Sequence, residues 1–77
     1  MSMLTTLLLF EKYGPRMSLE QVGDALGFAT GTLYQRLAHG KLDLPTYVDG
    51  KQRFADTRDV AEYLDRLRDQ ARQGMAA

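Results

Sequence analysis

Apolar residues recur at helical spacing in four stretches of this chain and switch to a strand-like period in one. Leu19, Val22 and Leu26 fall at i, i+3 and i+7, and Leu33 and Leu37 at i and i+4, spacings that line one face of a helix. Both sets lie in or beside QVGDALGFATGTLYQRLAHGKL, Gln21 to Leu42, and only Gly27-Phe28-Ala29-Thr30 separates them. So short a break forces the two helices to cross. Ser18 followed three residues on by Gln21 predicts a capping box at the start of the first. Thr30 is the expected N-cap of the second, and Gly40 the left-handed residue after its end. A leader helix over residues 4–13 precedes the pair and closes at Gly14-Pro15, a breaker dipeptide.

The period changes after Lys41. Leu44-Pro45-Thr46-Tyr47-Val48 and Lys51-Gln52-Arg53-Phe54 flank Asp49-Gly50, the signal for a hairpin with a type I′ turn. In that hairpin, residues 44–55, Val48 and Phe54 are expected to point inward, and Lys51 and Arg53 share the alternation phase. Pro45 requires an edge position. Asp56-Thr57-Arg58-Asp59 then opens a last helix over residues 57–72, with Asp56 as N-cap and Asp59 suited to the first-turn dipole. Val60, Leu64, Leu67 and Ala71 form its expected buried stripe. The reading is a single domain over residues 1–77, mainly α with a small β-hairpin. A leader helix, a helix-turn-helix over residues 19–39, a hairpin and a closing helix give the order of a winged helix-turn-helix.

A helix-turn-helix commonly lays its second helix in the major groove of DNA. Projected at ~100° per residue, that helix puts Gln35 and His39 opposite Leu33 and Leu37, with Gly31 and Thr32 beside them. Arg36 lies on one flank and Tyr34 on the other. Gln pairs bidentately with adenine and Arg with guanine, each good pair discriminating by ~1–3 kcal/mol, and Thr offers a hydroxyl and a methyl. Gln35 and Arg36 are therefore the specificity candidates. Thr30 and Gly31 open the helix where its N-terminus attracts phosphate. Lys51 and Arg53 suit wing contacts to phosphate or the minor groove, and Lys41 a backbone contact at the helix exit. Each has a plainer reading: solvated helix face for Gln35 and Arg36, dipole complement for His39, packing edge for Tyr34, charged edge strand for Lys51 and Arg53.

Composition narrows the field. The 77 residues make one small domain, of the size that buries only about 60% of its unfolded surface. Without cysteine there is neither a disulfide framework nor a thiolate metal site. The apolar start MSMLTTLLLF has no preceding Lys or Arg and ends at Glu11 and Lys12, so neither a signal peptide nor a membrane span is expected, and a first helix of the domain explains it better. A cytoplasmic, nucleoid-associated protein is expected. One histidine and no phosphate loop or ligand-spaced carboxylates argue against an enzyme, a metal site or a cofactor. Net charge is zero, but Arg36, Lys41, Lys51, Arg53 and Arg58 outnumber Asp43, Asp49 and Asp56 from Gly31 to Arg58. If about five cations meet phosphates, log K falls against log salt with slope roughly −4 to −5.

The run LEQVGDALGFATGTLYQRLAHGKLDLP, then Tyr47-Val48, a basic hairpin and DVAEYLDRL, resembles small winged-helix proteins of phages and prophages. These are the excisionases (recombination directionality factors), the AlpA-like regulators and the pyocin activator family, with a MerR/excisionase-like fold. LLLFEKYG, KLDLP and AEYLDRLR bring the pyocin activator type nearest. The resemblance covers nearly the whole chain through the order of its parts, each motif alone being degenerate. It implies Thr32, Gln35, Arg36 and His39 on the recognition helix and Lys51 and Arg53 on the wing. It also implies double-stranded DNA as partner, cooperative self-association on repeated sites, and a role in excision beside an integrase or in promoter control with the transcription machinery. Many relatives are clearly basic, and this chain is not.

The alternative is a protein-interaction module, such as an antirepressor that masks a repressor, since fold does not fix function. Leu4, Leu7, Leu8, Leu9 and Phe10 exceed what one buried helical stripe needs. Either they wrap the core, the preferred reading, or part of that face pairs with another subunit.

Overall fold

The structure, a computed structural model, describes residues 3–76, with side chains placed for residues 3–74. Four helices and three short strands follow the chain as α1 (Met3–Tyr13), β1 (Arg16–Ser18), α2 (Leu19–Leu26), α3 (Thr30–Ala38), β2 (Tyr47–Asp49), β3 (Gln52–Asp56) and α4 (Thr57–Ala76). The architecture is mainly helical with one small antiparallel sheet, ordered β1-β3-β2. It is compatible with a helix-turn-helix followed by a wing.

Local chemistry explains most boundaries. Ser18 Oγ accepts from the Gln21 N–H and Gln21 Oε1 accepts from the Ser18 N–H, so the expected capping box starts α2. Gly27 ends it at φ +79°, a backbone region that costs little only without a Cβ. The α2–α3 turn is tight, for the N–H groups of Gly27 and Phe28 both donate to the Gly23 carbonyl, at 2.8 and 2.9 Å. Thr30 does not cap α3. Leu33 N–H donates to the Ala29 carbonyl, which makes Ala29 the cap residue, and Ala29 has no side chain to cap with. Gly40 follows the helix at φ +65°, as expected. Asp56 caps α4, its Oδ1 accepting from the Arg58 N–H at 2.8 Å.

The hairpin differs from expectation by one residue. Asp49 stands opposite Gln52, so the turn residues are Gly50 and Lys51. Gly50 has φ +66° and no non-glycine residue has positive φ, which fits a type II′ turn, with glycine at the first central position. Moving the turn by one residue shifts the pairing by two and exchanges no faces, so Val48 and Phe54 lie on opposite faces in either register. Val48 now lies across from Arg53, and Phe54 across from Tyr47. Alternation along β3 puts Ala55 inward and its neighbour Phe54 on the opposite face, where the Arg16 guanidinium covers it, 3.8 Å from its ring centre. Val48 shares the inner face but lies past the edge of the core, 59% exposed. Pro45 precedes the strand, and Leu44 beside it is buried.

Met17 on β1 and Ala55 on β3 pair across the sheet and face inward. They meet Val22, Leu33, Leu42, Leu44 and Val60 in one cluster. Thr57 is fully buried where it joins α4 to the α1–β1 turn, its hydroxyl donating to the Gly14 carbonyl at 2.6 Å. The stripe on α4 is buried only at its start. Val60 and Ala61 are inaccessible, Leu64 is half-buried, and Leu67 and Ala71 are exposed, because the helix outruns the core. The preferred reading of α1 fails as well. Only Leu9 and Tyr13 pack on the core, while Leu4, Leu7 and Leu8 stay more than half exposed.

Candidate nucleic-acid interface

The outward ridge of α3 is the projected one. Gly31, Gln35 and His39 are exposed and Thr32 is half-buried beside them. Gln35 and His39 stand one helical turn apart with no hydrogen bond or ion pair of their own side chains. Thr30, the first helical residue rather than the cap, borders the hairpin side. Because Ala29 supplies no acceptor, the first N–H groups of α3 have no side-chain partner, the condition in which a helix start takes up an anion.

Between α3 and the hairpin runs an open cleft of about 220 Å³ lined by Ser18, Leu19, Glu20, Thr30, Tyr34, Lys51, Gln52 and Arg53. The fold thus brings four of the sequence candidates, Thr30, Tyr34, Lys51 and Arg53, to one wall-to-wall feature. Tyr34 is 51% exposed and reaches a second hollow with Leu37, Ala38 and Arg53. Arg53 is aimed by Thr46, whose Oγ1 accepts from the guanidinium at 2.9 Å. Lys51, at the turn, is exposed. One carboxylate, Glu20, stands in the cleft.

Arg36 is placed differently from a freely solvated side chain. Its guanidinium lies 4.3 Å from the centre of the Phe28 ring, a stack worth about 0.5–1 kcal/mol at an exposed site. This contact holds the guanidinium beside the inter-helix turn. Phe28, an aromatic in the inter-helix turn, is thus a positioning residue that the sequence reading did not single out. Lys41 is not part of this surface: it lines a hollow with Asp43, Tyr63, Arg66, Leu67 and Gln70 against α4.

Charge is redistributed by ion pairs that local sequence does not reveal. Arg16 donates to Asp49 at 2.6 Å, Arg66 to Asp43 at 2.6 Å, and Arg58 to Asp56 at 2.9 Å. Every carboxylate between Gly31 and Arg58 is therefore matched by an arginine, and two of those arginines come from outside the segment. Exposed pairs of this kind add little stability, but they cancel charge locally. Hydrogen bonds to Asp49 and Tyr47 hold the Arg16 guanidinium above its ordinary range, and the Arg58 hydrogen bond holds the Asp56 carboxyl below its own. Among the described residues, Arg36, Lys41, Lys51 and Arg53 of this segment form no ion pair with a carboxylate.

Among the described residues no group of three or more His, Cys, Asp or Glu side chains could hold a metal ion, and no helix is long and apolar enough to cross a membrane. The chain matches no protein-family model, no curated protein and no solved structure. The functional reading rests on the geometry of α3, the cleft and the hairpin.

Proposed function

We propose that this protein is a winged helix-turn-helix that binds double-stranded DNA in a sequence-specific manner, with α3 as recognition helix and the β2–β3 hairpin as wing. The observation that carries the reading is the cleft shared by the start of α3 and the hairpin turn. It gathers Thr30, Tyr34, Lys51 and Arg53 beside an outward ridge of unpartnered Gln35 and His39. In this reading Gln35 and Arg36 read base edges in the major groove, while Lys51 and Arg53 hold phosphates. With Lys41 beside α4, Arg58 paired to Asp56 and Arg36 on base edges, about two cations meet phosphates, and the salt slope is roughly −2. The resemblance to phage and prophage excisionases, AlpA-like regulators and pyocin activators extends the proposal to excision or promoter control through repeated sites.

A gel-shift titration on fragments around the gene, any attachment site included, with random competitor DNA, tests this. Discrete bands resistant to competitor support specific binding, and the fragment that binds separates excision from promoter control. No shift at moderate salt overturns the reading. It would favour the protein-interaction module, an antirepressor for instance, for which the exposed apolar face of α1 is the supporting observation.

A further inference from the structure

Helix α1 is inside out. At 100° per residue its residues divide into two faces, and the one turned to the domain carries Thr5, Thr6, Leu9 and Tyr13, all half-buried. The opposite face carries Met3, Leu4, Leu7 and Leu8, which are 76%, 67%, 60% and 56% exposed, with Phe10 at its margin. An amphipathic helix on a lone domain turns its apolar stripe to the core; α1 does the reverse. It packs against α4 and β1, so a second apolar surface is left over.

We infer that this face is the contact between two copies of the chain, joined α1 to α1 in antiparallel fashion about a two-fold axis near Leu7 and Leu8. Three observations choose a second copy. The four residues expose on the order of 500 Å² on one face, the upper range for a patch on a monomer and over half of the about 800 Å² each partner gives to a standard interface. Net charge is zero, so copies meet without net repulsion. The third is charge complementarity along the helix. Glu11 is the charged residue nearest the middle of the apolar face, and the first turn of α1 has no acidic residue. An antiparallel mate brings each Glu11 to the other copy's first turn near Leu4, where the helix dipole favours an anion. A parallel mate would set Glu11 against Glu11. Such a dimer presents two α3 helices related by a two-fold, so, on the DNA-binding reading, its half-sites are inverted repeats.

The test is sedimentation equilibrium of the full chain without DNA, over a concentration series. Wild type passes from monomer to dimer. Leu7→Glu, on the exposed face and clear of the core, keeps the far-ultraviolet circular dichroism of wild type. It weakens the dimer at least about 100-fold, because the two-fold repeats each lost apolar contact. Since the chain has no cysteine, Leu7→Cys is locked into a disulfide-linked dimer by mild oxidation, and Lys41→Cys is not. A monomer at every concentration overturns the inference, with another protein then covering α1. So does a dimer indifferent to Leu7→Glu, or open-ended assembly in place of a closed pair. As DNA is absent, failure here leaves the DNA-binding reading standing, and the gel shift can fail without touching the dimer.

Discussion

The tightest place beneath the proposed interface is Gly23, and it yields a prediction with a defined sign. A Cβ on Gly23 would lie 2.6 Å from the carbonyl oxygen of Phe28. That oxygen belongs to backbone, and residue 28 is tied back to residue 23 by its own N–H at 2.9 Å, so it cannot swing aside as a side-chain end could. Gly23→Ala gains about 0.5–1 kcal/mol of helix preference and loses about 1–3 kcal/mol to overpacking. A rigid obstacle places the loss at the upper end, for a net destabilisation of about 1–2 kcal/mol. With a urea m-value of about 1 kcal/mol/M, the unfolding midpoint falls by about 1–2 M. Gly31→Ala is the internal control. It meets nothing within 4 Å and sits in α3, so its midpoint rises by the equivalent of about 0.5–1 kcal/mol. Because Gly31 lies on the outward ridge, the same change weakens DNA binding if α3 approaches the duplex closely. A Gly23→Ala midpoint at or above wild type would refute the account of the α2–α3 turn, and parallel shifts in both variants would show that helix preference alone decides.

Arg36→Ala removes the stack on Phe28 at a cost of about 0.5–1 kcal/mol and abolishes discrimination between specific and random DNA in a competition gel shift. Retained specificity with an intact fold rules out the recognition-helix assignment. Lys51→Ala weakens binding to all sequences alike and reduces the magnitude of the salt slope by about 1; an unchanged slope means the hairpin is not a wing. Asp56→Asn keeps a competent N-cap and deletes the charge that Arg58 stabilises. The carboxyl is held below its ordinary range, so its contribution is present above the unfolded value of about 3.9 and is lost as pH falls through the lower folded value. The stability gap between wild type and variant in urea melts is full at neutral pH and closes in acid; a gap constant with pH contradicts this.

What the sequence made legible was what adjacent residues decide. The Ser18–Gln21 box, the Asp56 cap and the Gln35–His39 ridge each lie within one or two helical turns, and each stands where residue spacing puts it. Strand β1 was not legible. It is three residues long, and its partners, Asp56, Ala55 and Phe54, lie far along the chain, so no local period marks it. The hairpin slipped for a related reason. Asp49-Gly50 and Gly50-Lys51 are both acceptable turns, and β3 must also pair with β1 so that Ala55 and Met17 face inward together. For α1 and the end of α4, periodicity gave the apolar faces but not how far the core extends to meet them. The cleft could not be read because its walls come from β1, α2, α3 and the hairpin.

Net neutrality argues less against nucleic acid than composition suggests, because the fold sorts the charge. Asp59, Glu62, Asp65 and Asp69 share one open cleft along α4 with Asp43 and Arg66. Lys51 and Arg53 lie together on the hairpin beside α3, and Arg36 sits on α3 over Phe28. The turn carboxylate that would have offset them, Asp49, is engaged by Arg16, which also stacks on Phe54. A single arginine on a three-residue strand thus braces the β2–β3 hairpin and covers the charge that would repel a phosphate there. What a polyanion meets depends on which surface it approaches, and a field divided in this way orients an encounter even when the sum is zero. Neutrality has a consequence for affinity as well. If the protein binds DNA as proposed, few phosphate contacts mean weak binding per copy, and two copies joined through α1 would bind linked half-sites with the second contact made intramolecular. On the proposed reading, the unspent apolar face and the small cationic surface therefore bear on one property, the strength of DNA binding.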